Sequence, residues 1–366
     1  MREKLQICLD FLTRTDRLPV PVCACGFDGF IDTLTRPVFH DGIHKTAFQS
    51  TRQFAEYLLA KSGKNCGIDL EVKSRRFGGN SPIFSNALAS SGVSVHCMAA
   101  LGFPDTDPIF DPVKNRCATY NIENPGLCTA LEFDDGKVFF AQNDAIKNIN
   151  YKTVKNRLGH EKLSEIITQS HGLALLNWGE IKNMGAVWEE ALQDFEKIAC
   201  EQPRKKLLID FADISLRSSK EIKSIISLLK NSQEWIDVFV SVNLNEYHLL
   251  CQVFALDDQL SEVTLRKLFS CLGITALVVH TPQRSFFFDA ANFGSVNNKS
   301  VAKPRINTGA GDHFNAGFMF ALLYDFDWQS ALVLASACSG FFVANGFSPD
   351  KENLKEFMTH WQSDFI

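Results

Sequence analysis

At 366 residues, with 45% hydrophobic and 22% charged side chains, the chain has the composition of an ordinary globular protein with a large core, in one large α/β unit or two modest ones. Its net charge of −5, with no basic block of five or more residues, argues against nucleic acid as a partner. The eleven cysteines are scattered and odd in number, with neither a Cys-x-x-Cys pair nor a Cys/His cluster at zinc spacing, so buried, reduced thiols of a cytoplasmic protein are expected.

The chain opens on Arg2, Lys4 and Arg14 mixed with Glu3, Asp10 and Asp16. No sustained apolar run follows, so neither a secretion signal nor a membrane span is expected there, and residues 1–20 read as an extension without a role. Residues 20–26 predict a first apolar strand, with Cys23 and Cys25 on one face. That strand runs into Gly26-Phe27-Asp28-Gly29-Phe30-Ile31-Asp32, which puts a carboxylate at the rim of the sheet. Carboxylates accept hydrogen bonds from hydroxyls, often two at once, and either Asp28 or Asp32 could instead cap the turn. Extended, turn-rich sequence fills 33–48, and Gly78-Gly79-Asn80-Ser81 then opens a helical stretch that closes at Gly92.

A strand is predicted over 93–101, followed by a second extended region at 119–143. Within it Asp134-Asp135-Gly136 separates the runs 127–133 and 137–142, a hairpin signal. Further strands are predicted over 172–177, 206–210, 235–242 and 276–281, alternating with helices at 184–200, 218–229 and 260–272. Such alternation gives a mostly parallel sheet covered on both faces, with ligands at the carboxyl ends of its strands. Asn243-Leu244-Asn245-Glu246 follows one of those ends, with Asn243 placed to cap a helix and Glu246 three residues in. His280-Thr281-Pro282-Gln283-Arg284 follows another. The most apolar stretch, 314–347, is broken by Asp325 and Asp327 and reads as two buried helices, the second closing at Asn345-Gly346.

Asn307-Thr308-Gly309-Ala310-Gly311-Asp312-His313-Phe314 carries the chemistry. Glycines bring backbone amides close to a ligand, and the first amides of a helix form a site for anions. A resting phosphate would repel Asp312, so its place on the turn suggests a base that takes a proton from a hydroxyl attacking phosphorus. A capping Asp on a Gly-rich turn is the plainer alternative. His313 could bias that carboxylate, touch phosphate, or sit on the helix surface.

This segment resembles the Asp-Thr-x-Gly-Ala-Gly-Asp signature of the ribokinase/PfkB family of carbohydrate and nucleoside kinases, and the resemblance spans roughly residues 20–350. It implies an α/β, ribokinase-like three-layer sandwich, a single domain over 1–366 with a mostly parallel central sheet. It also implies a small β-sheet lid from segments near 33–48 and 119–143, where a homodimer would form. The implied activity is ATP-dependent phosphorylation of a hydroxyl of a sugar-like small molecule, with Asp312 as general base. The amides of Gly309, Ala310 and Gly311 would be the anion hole. Asp32, or alternatively Asp28, would bind substrate with Gly78, Gly79 and Asn80. Asn243 and Glu246 would organise Mg²⁺ through water near the nucleotide, with Thr281 and Asn345 beside it. Neither nucleic acid nor membrane is an implied partner.

Three positions depart from the pattern. Ile306 and Asn307 replace the signature's Asp and Thr, which puts activation by a monovalent cation such as potassium in doubt. Ile83 replaces an Asn that usually follows the glycine pair, which weakens the substrate assignment. The alternatives are a nucleoside (adenosine-like) kinase and a catalytically weak sugar- or nucleotide-binding regulator.

Overall fold

The structure, a computed structural model, describes residues 1–40, 44–199 and 204–365. Residues 41–43 of the lid segment 33–48, and Cys200 at the end of the helix expected over 184–200, lie outside the described residues.

Among the described residues, fourteen strands form two sheets. In chain order they are β1 (Val22–Phe27), β2 (Phe30–His40), β3 (Lys45–Ala47), β4 (Asp69–Gly78), β5 (Ser94–Ala99), β6 (Ala118–Asn121) and β7 (Gly126–Phe133). The others are β8 (Gly136–Gln142), β9 (Gly172–Leu176), β10 (Lys206–Asp210), β11 (Asp237–Asn243), β12 (Ala276–His280), β13 (Arg284–Asp289) and β14 (Phe293–Asn297). The main sheet has nine strands in the order β14-β13-β12-β11-β10-β9-β1-β5-β6, antiparallel only at β12–β13 and β13–β14.

Alternation of apolar side chains along each strand sorts the core into two layers. Leu173, Leu175, Leu207, Ile209, Val238 and Val240 face one layer, covered by helices Met184–Ala199, Ser219–Ser232, Leu244–Val253 and Glu262–Leu272. Cys23, Cys25, Cys97, Ala174, Leu208 and Val278 face the other, covered by helices Asn80–Ser90, Ala310–Leu323, Trp328–Asn345 and Lys351–Ser363. The opening residues are part of this second core. Leu5, Cys8 and Leu12 of the helix Arg2–Arg14 are buried there. All cysteines among the described residues are free thiols, and no helix among them is long and apolar enough to cross a membrane.

The second sheet has five strands, with β2 pairing β3, β4 and β7, and β8 outside β7. The expected hairpin is present: Phe133 pairs Gly136 across a loop of Asp134 and Asp135. Two boundaries are corrected. Residues 119–121 belong to β6 of the main sheet, and β4, which lies outside both expected lid segments, is a full member of the small sheet.

Candidate active site

Strand order reverses between β1 and β9, because β1 leads outward to β5 and β6 while β9 leads the other way to β14. Loops leaving the carboxyl ends of such neighbours diverge and leave a crevice. A cavity of about 680 Å³ opens there. Its floor holds Asn177 and Glu180 past β9, Asp210 at the end of β10 and Asp213 past it, Asn243 at the end of β11 and Glu246 past it, His280 of β12, and Thr308, Gly309, Gly311 and Asp312. Its roof is the small sheet, through Asp32, Arg76, Cys128, Lys137 and Phe139. That sheet therefore covers the cavity.

Gly309 precedes the helix Ala310–Leu323 at φ +93°, a left-handed conformation that a side chain resists. The turn closes on itself: Ala310 donates its amide to the Asn307 carbonyl at 3.1 Å, and His313 donates its amide to the Gly309 carbonyl at 3.2 Å. The Gly309 and Gly311 amides have no recorded acceptor among the described residues and stand at the cavity. Ala310 does not line it, and its amide is already bonded. Behind the turn, Asp312 is 8% exposed, and its buried Oδ1 has no hydrogen-bond partner among the described residues. His313 is 1% exposed, which rules out the helix-surface alternative.

The two carboxylates that the sequence leaves open part company here. Asp32 lines the cavity, and Gly78 makes room for it: a Cβ there would fall 2.4 Å from Asp32 Oδ2. Asp28 is fully buried and faces the protein. Its oxygens accept the amides of Asn80 and Ser81, each at 2.8 Å, and Nδ2 of Asn177 at 3.0 Å. It thus caps the distant helix Asn80–Ser90, not its own turn as the sequence alternative had it. Asn177 Nδ2 also reaches Glu180 Oε2 at 3.0 Å, which ties the floor together.

The floor is crowded with acids. Burial, then the charges of Asp210 and Asp28, pushes the Asp312 carboxyl well above the usual range, against a hydrogen bond from Asn80. Asp210 is raised to about 6, chiefly by burial and against the Ala212 amide. Burial and Asp210 raise Glu246, whose carboxylate accepts the backbone amide and side-chain Nδ2 of Asn243. Glu180 and Asp32 are also raised by burial, with Arg76 opposing the rise at Asp32. Such a floor suits a cation. Yet no three His, Cys, Asp or Glu side chains among the described residues are grouped to chelate one. The fit is therefore to an ion held largely through water and substrate phosphates, as is usual for Mg²⁺.

Of the expected site residues, the cavity brings together Asp32, Gly79, Asn80, Asn243, Glu246, Gly309, Gly311 and Asp312. It does not include Asp28, Gly78, Ala310, Thr281 or Asn345. The Thr281 hydroxyl donates to the Arg284 carbonyl at 2.8 Å and accepts its amide at 2.9 Å, closing the β12–β13 turn. Asn345 Nδ2 donates to the Phe341 carbonyl at 2.9 Å, closing a helix end. Sequence reasoning missed Asn177, Glu180, Asp210 and Asp213; their one signal is a polar residue just past the end of a parallel strand.

Residues 7–361 match the family described as prokaryotic ketohexokinase. A ketohexokinase from Haloferax volcanii is 23% identical over 358 residues, covering 93% of this chain and 91% of that protein. A fructokinase from Xylella fastidiosa, solved with ATP bound, superposes with a TM-score of 0.65 at 13% identity, over 93% of this chain and 98% of the other. A putative ribokinase II from E. coli, in complex with ATP and Mg²⁺, gives a TM-score of 0.63 at 14% identity, over 93% and 100%. These solved structures share the ribokinase-like fold of this chain. With its family match over nearly the whole length, the chain belongs to the prokaryotic ketohexokinase family and is a carbohydrate kinase.

Proposed function

We propose that the chain transfers the γ-phosphoryl group of ATP to a primary hydroxyl of a ketohexose, with Asp312 as the general base. The observation that carries this reading is the unpartnered, buried oxygen of Asp312 behind the Gly309–Gly311 amides, at the floor of a covered cavity. Asp32 and Asn80 orient the sugar by accepting and donating hydrogen bonds to its hydroxyls. Asp312 takes the proton of the attacking hydroxyl as its oxygen bonds to phosphorus and the bond to the leaving ADP breaks. The Gly309 and Gly311 amides meet the charge that develops on the phosphoryl oxygens. Asn243 and Glu246 would hold Mg²⁺ through water, and the ion would spread the charge of the phosphates when bound. Asp28 keeps the Asn80 amide, and with it the sugar end, in register with the floor. The lid excludes water from the transfer.

The whole chain is read as one functional unit, working in a reducing compartment such as the cytoplasm, because the thiols among the described residues are free and mostly buried. Leu70 and Val72 of β4 and Phe140 of β8 are exposed, which supports a homodimer through the lid. Light scattering on wild type and on Phe140→Glu tests that point. The activity itself is tested by ADP release across a panel of ketohexoses, aldoses and nucleosides. Turnover with a ketohexose supports the reading; turnover with nucleosides alone, or saturable binding without ADP release, overturns it.

A further inference from the structure

His313 sits in a hydrogen-bonded chain that the kinase reading leaves unused. Its ring lies over Phe342 with centroids 3.7 Å apart and planes 13° apart. Nδ1 is 2.7 Å from the Gly309 carbonyl, and Nε2 is 2.8 Å from Oγ of Ser348. Ser348 Oγ accepts Nδ2 of Asn86 at 2.8 Å, and Asn86 Oδ1 accepts Nη1 of Arg116 at 2.9 Å. Burial lowers the imidazole to about 4, so the ring is neutral near pH 7.

Every link then has one polarity. A carbonyl only accepts, so Nδ1 carries the proton and Nε2 must accept. Ser348 donates its hydroxyl to Nε2 and uses a lone pair for Asn86. Arg116 only donates, so it holds the Asn86 amide with Oδ1 outward and Nδ2 toward Ser348. The chain ends on the Gly309 carbonyl, which also accepts the His313 amide. The same peptide unit is held on its other side, where Ala310 donates to Asn307. The plane of that peptide sets where the next amide, that of Gly311, points.

We propose that Arg116, Asn86, Ser348 and His313 form a positioning relay that fixes the Gly309 peptide, so that the phosphate turn is already aimed when substrate arrives. The relay also couples the two ends of the reaction. Asn86 lies on the helix whose first residue, Asn80, lines the sugar end, while His313 lies on the helix that carries the base. None of the four is a catalytic residue; they act through the turn.

This inference rests on the reading of that turn as a phosphate site, and Asp312→Asn tests that reading separately. For the relay, Ser348→Ala lowers kcat by roughly tenfold, the scale seen when the support of a functional ligand is lost, with KM for sugar unchanged. Ser348→Thr, which keeps the hydroxyl, restores kcat. In a double-mutant cycle Asn86→Ala with Ser348→Ala costs no more than the worse single change, because both cut one chain. Wild-type kcat in a folded Ser348→Ala, or fully additive losses, overturns the proposal. Should Ser348→Ala fail to fold, imidazole ¹⁵N NMR on the wild-type protein decides: a neutral His313 protonated on Nδ1 supports the relay, and one protonated on Nε2 sinks it.

Discussion

The floor and the lid of the cavity are built by opposite rules. Five of the floor strands (β1, β9, β10, β11, β12) are mostly apolar runs buried on both faces, and the polar residues that line the cavity lie at or past their carboxyl ends. Lid strands β4 and β8 are exposed along most of their length and carry the cavity's Arg76 and Lys137. The floor thus gathers carboxylates that the scaffold cannot move apart, and the lid brings the side chains that offset them. Rigid acids suit proton transfer and a hydrated cation; cations on the covering sheet suit the phosphates of an arriving nucleotide. The comparison can be broken at either end, and the floor should be the more sensitive.

The largest effect is expected at Asp312. Asp312→Asn keeps size and removes the proposed base, so kcat should fall by ~10²–10⁴ while the fold and nucleotide binding persist. A coupled ADP-release assay beside a thermal melt separates the two, and wild-type turnover would mean that another group takes the proton. Next comes Asp32, where Asp32→Ala removes a charged acceptor from the proposed sugar end. A hydrogen bond to a charged group contributes ~1.5–3 kcal/mol, so kcat/KM for the sugar should fall roughly 10- to 100-fold with KM for ATP unchanged. An equal rise in both KM values would place Asp32 outside the sugar site.

How much of this was legible in the sequence depends on how local each cause is. Gly309, Gly311 and Asp312 act within one turn and one helix start, so spacing alone exposes them. Asp28 and Asp32 lie four residues apart after the same strand. Only the approach of the Asn80–Ser81 amides, some fifty residues on, assigns Asp28 to capping. Ala310 looks like its glycine neighbours in sequence, but a bond back to Asn307 takes its amide out of the hole. Glu180 and Asp210 gain meaning from β9 lying beside β1 and β10 beside β9, a fact of topology that no local pattern states. Two omissions were avoidable. Leu5, Cys8 and Leu12 fall three and four apart, the spacing of a buried helical face. In β4, Leu70 and Val72 alternate with charged residues, the period of a strand.

The crowding of the floor makes a prediction about stability. For an acid, a folded pKa above the unfolded value means that the native state holds its proton longer. The cost of ionising Asp210 is therefore absent below pH 4 and grows as pH rises from about 4 toward its folded value of about 6. Asp210→Asn should raise the melting temperature of the ligand-free protein at pH 8 and leave it unchanged near pH 4. The stabilisation at pH 8 is at most about 3 kcal/mol, the equivalent of two pKa units. The new amide has a partner to hand, since Asn315 donates to Asp210 at 2.6 Å while its own Oδ1 lacks a partner among the described residues. A lower melting temperature at pH 8 would show the carboxylate to be satisfied as it stands.

The smallest effect is expected beside the phosphate turn, where the sequence departs from the pattern it resembles. Ile306 stands where a carboxylate would help to hold a monovalent cation. The backbone amides of Arg305 and Ile306 both donate to the Val343 carbonyl, at 2.8 and 3.4 Å, and Arg305 Nη1 donates to the Asn345 carbonyl at 3.3 Å. These carbonyls already have donors, one of them cationic, and the missing carboxylate leaves nothing to offset the desolvation of a bound ion. Replacing potassium by tetramethylammonium at constant ionic strength should therefore leave kcat unchanged, since both salts screen alike. A loss of turnover that potassium chloride alone reverses would place a cation among those carbonyls despite Ile306. In that case Arg305→Met should deepen the dependence, because it removes the guanidinium that now serves Asn345.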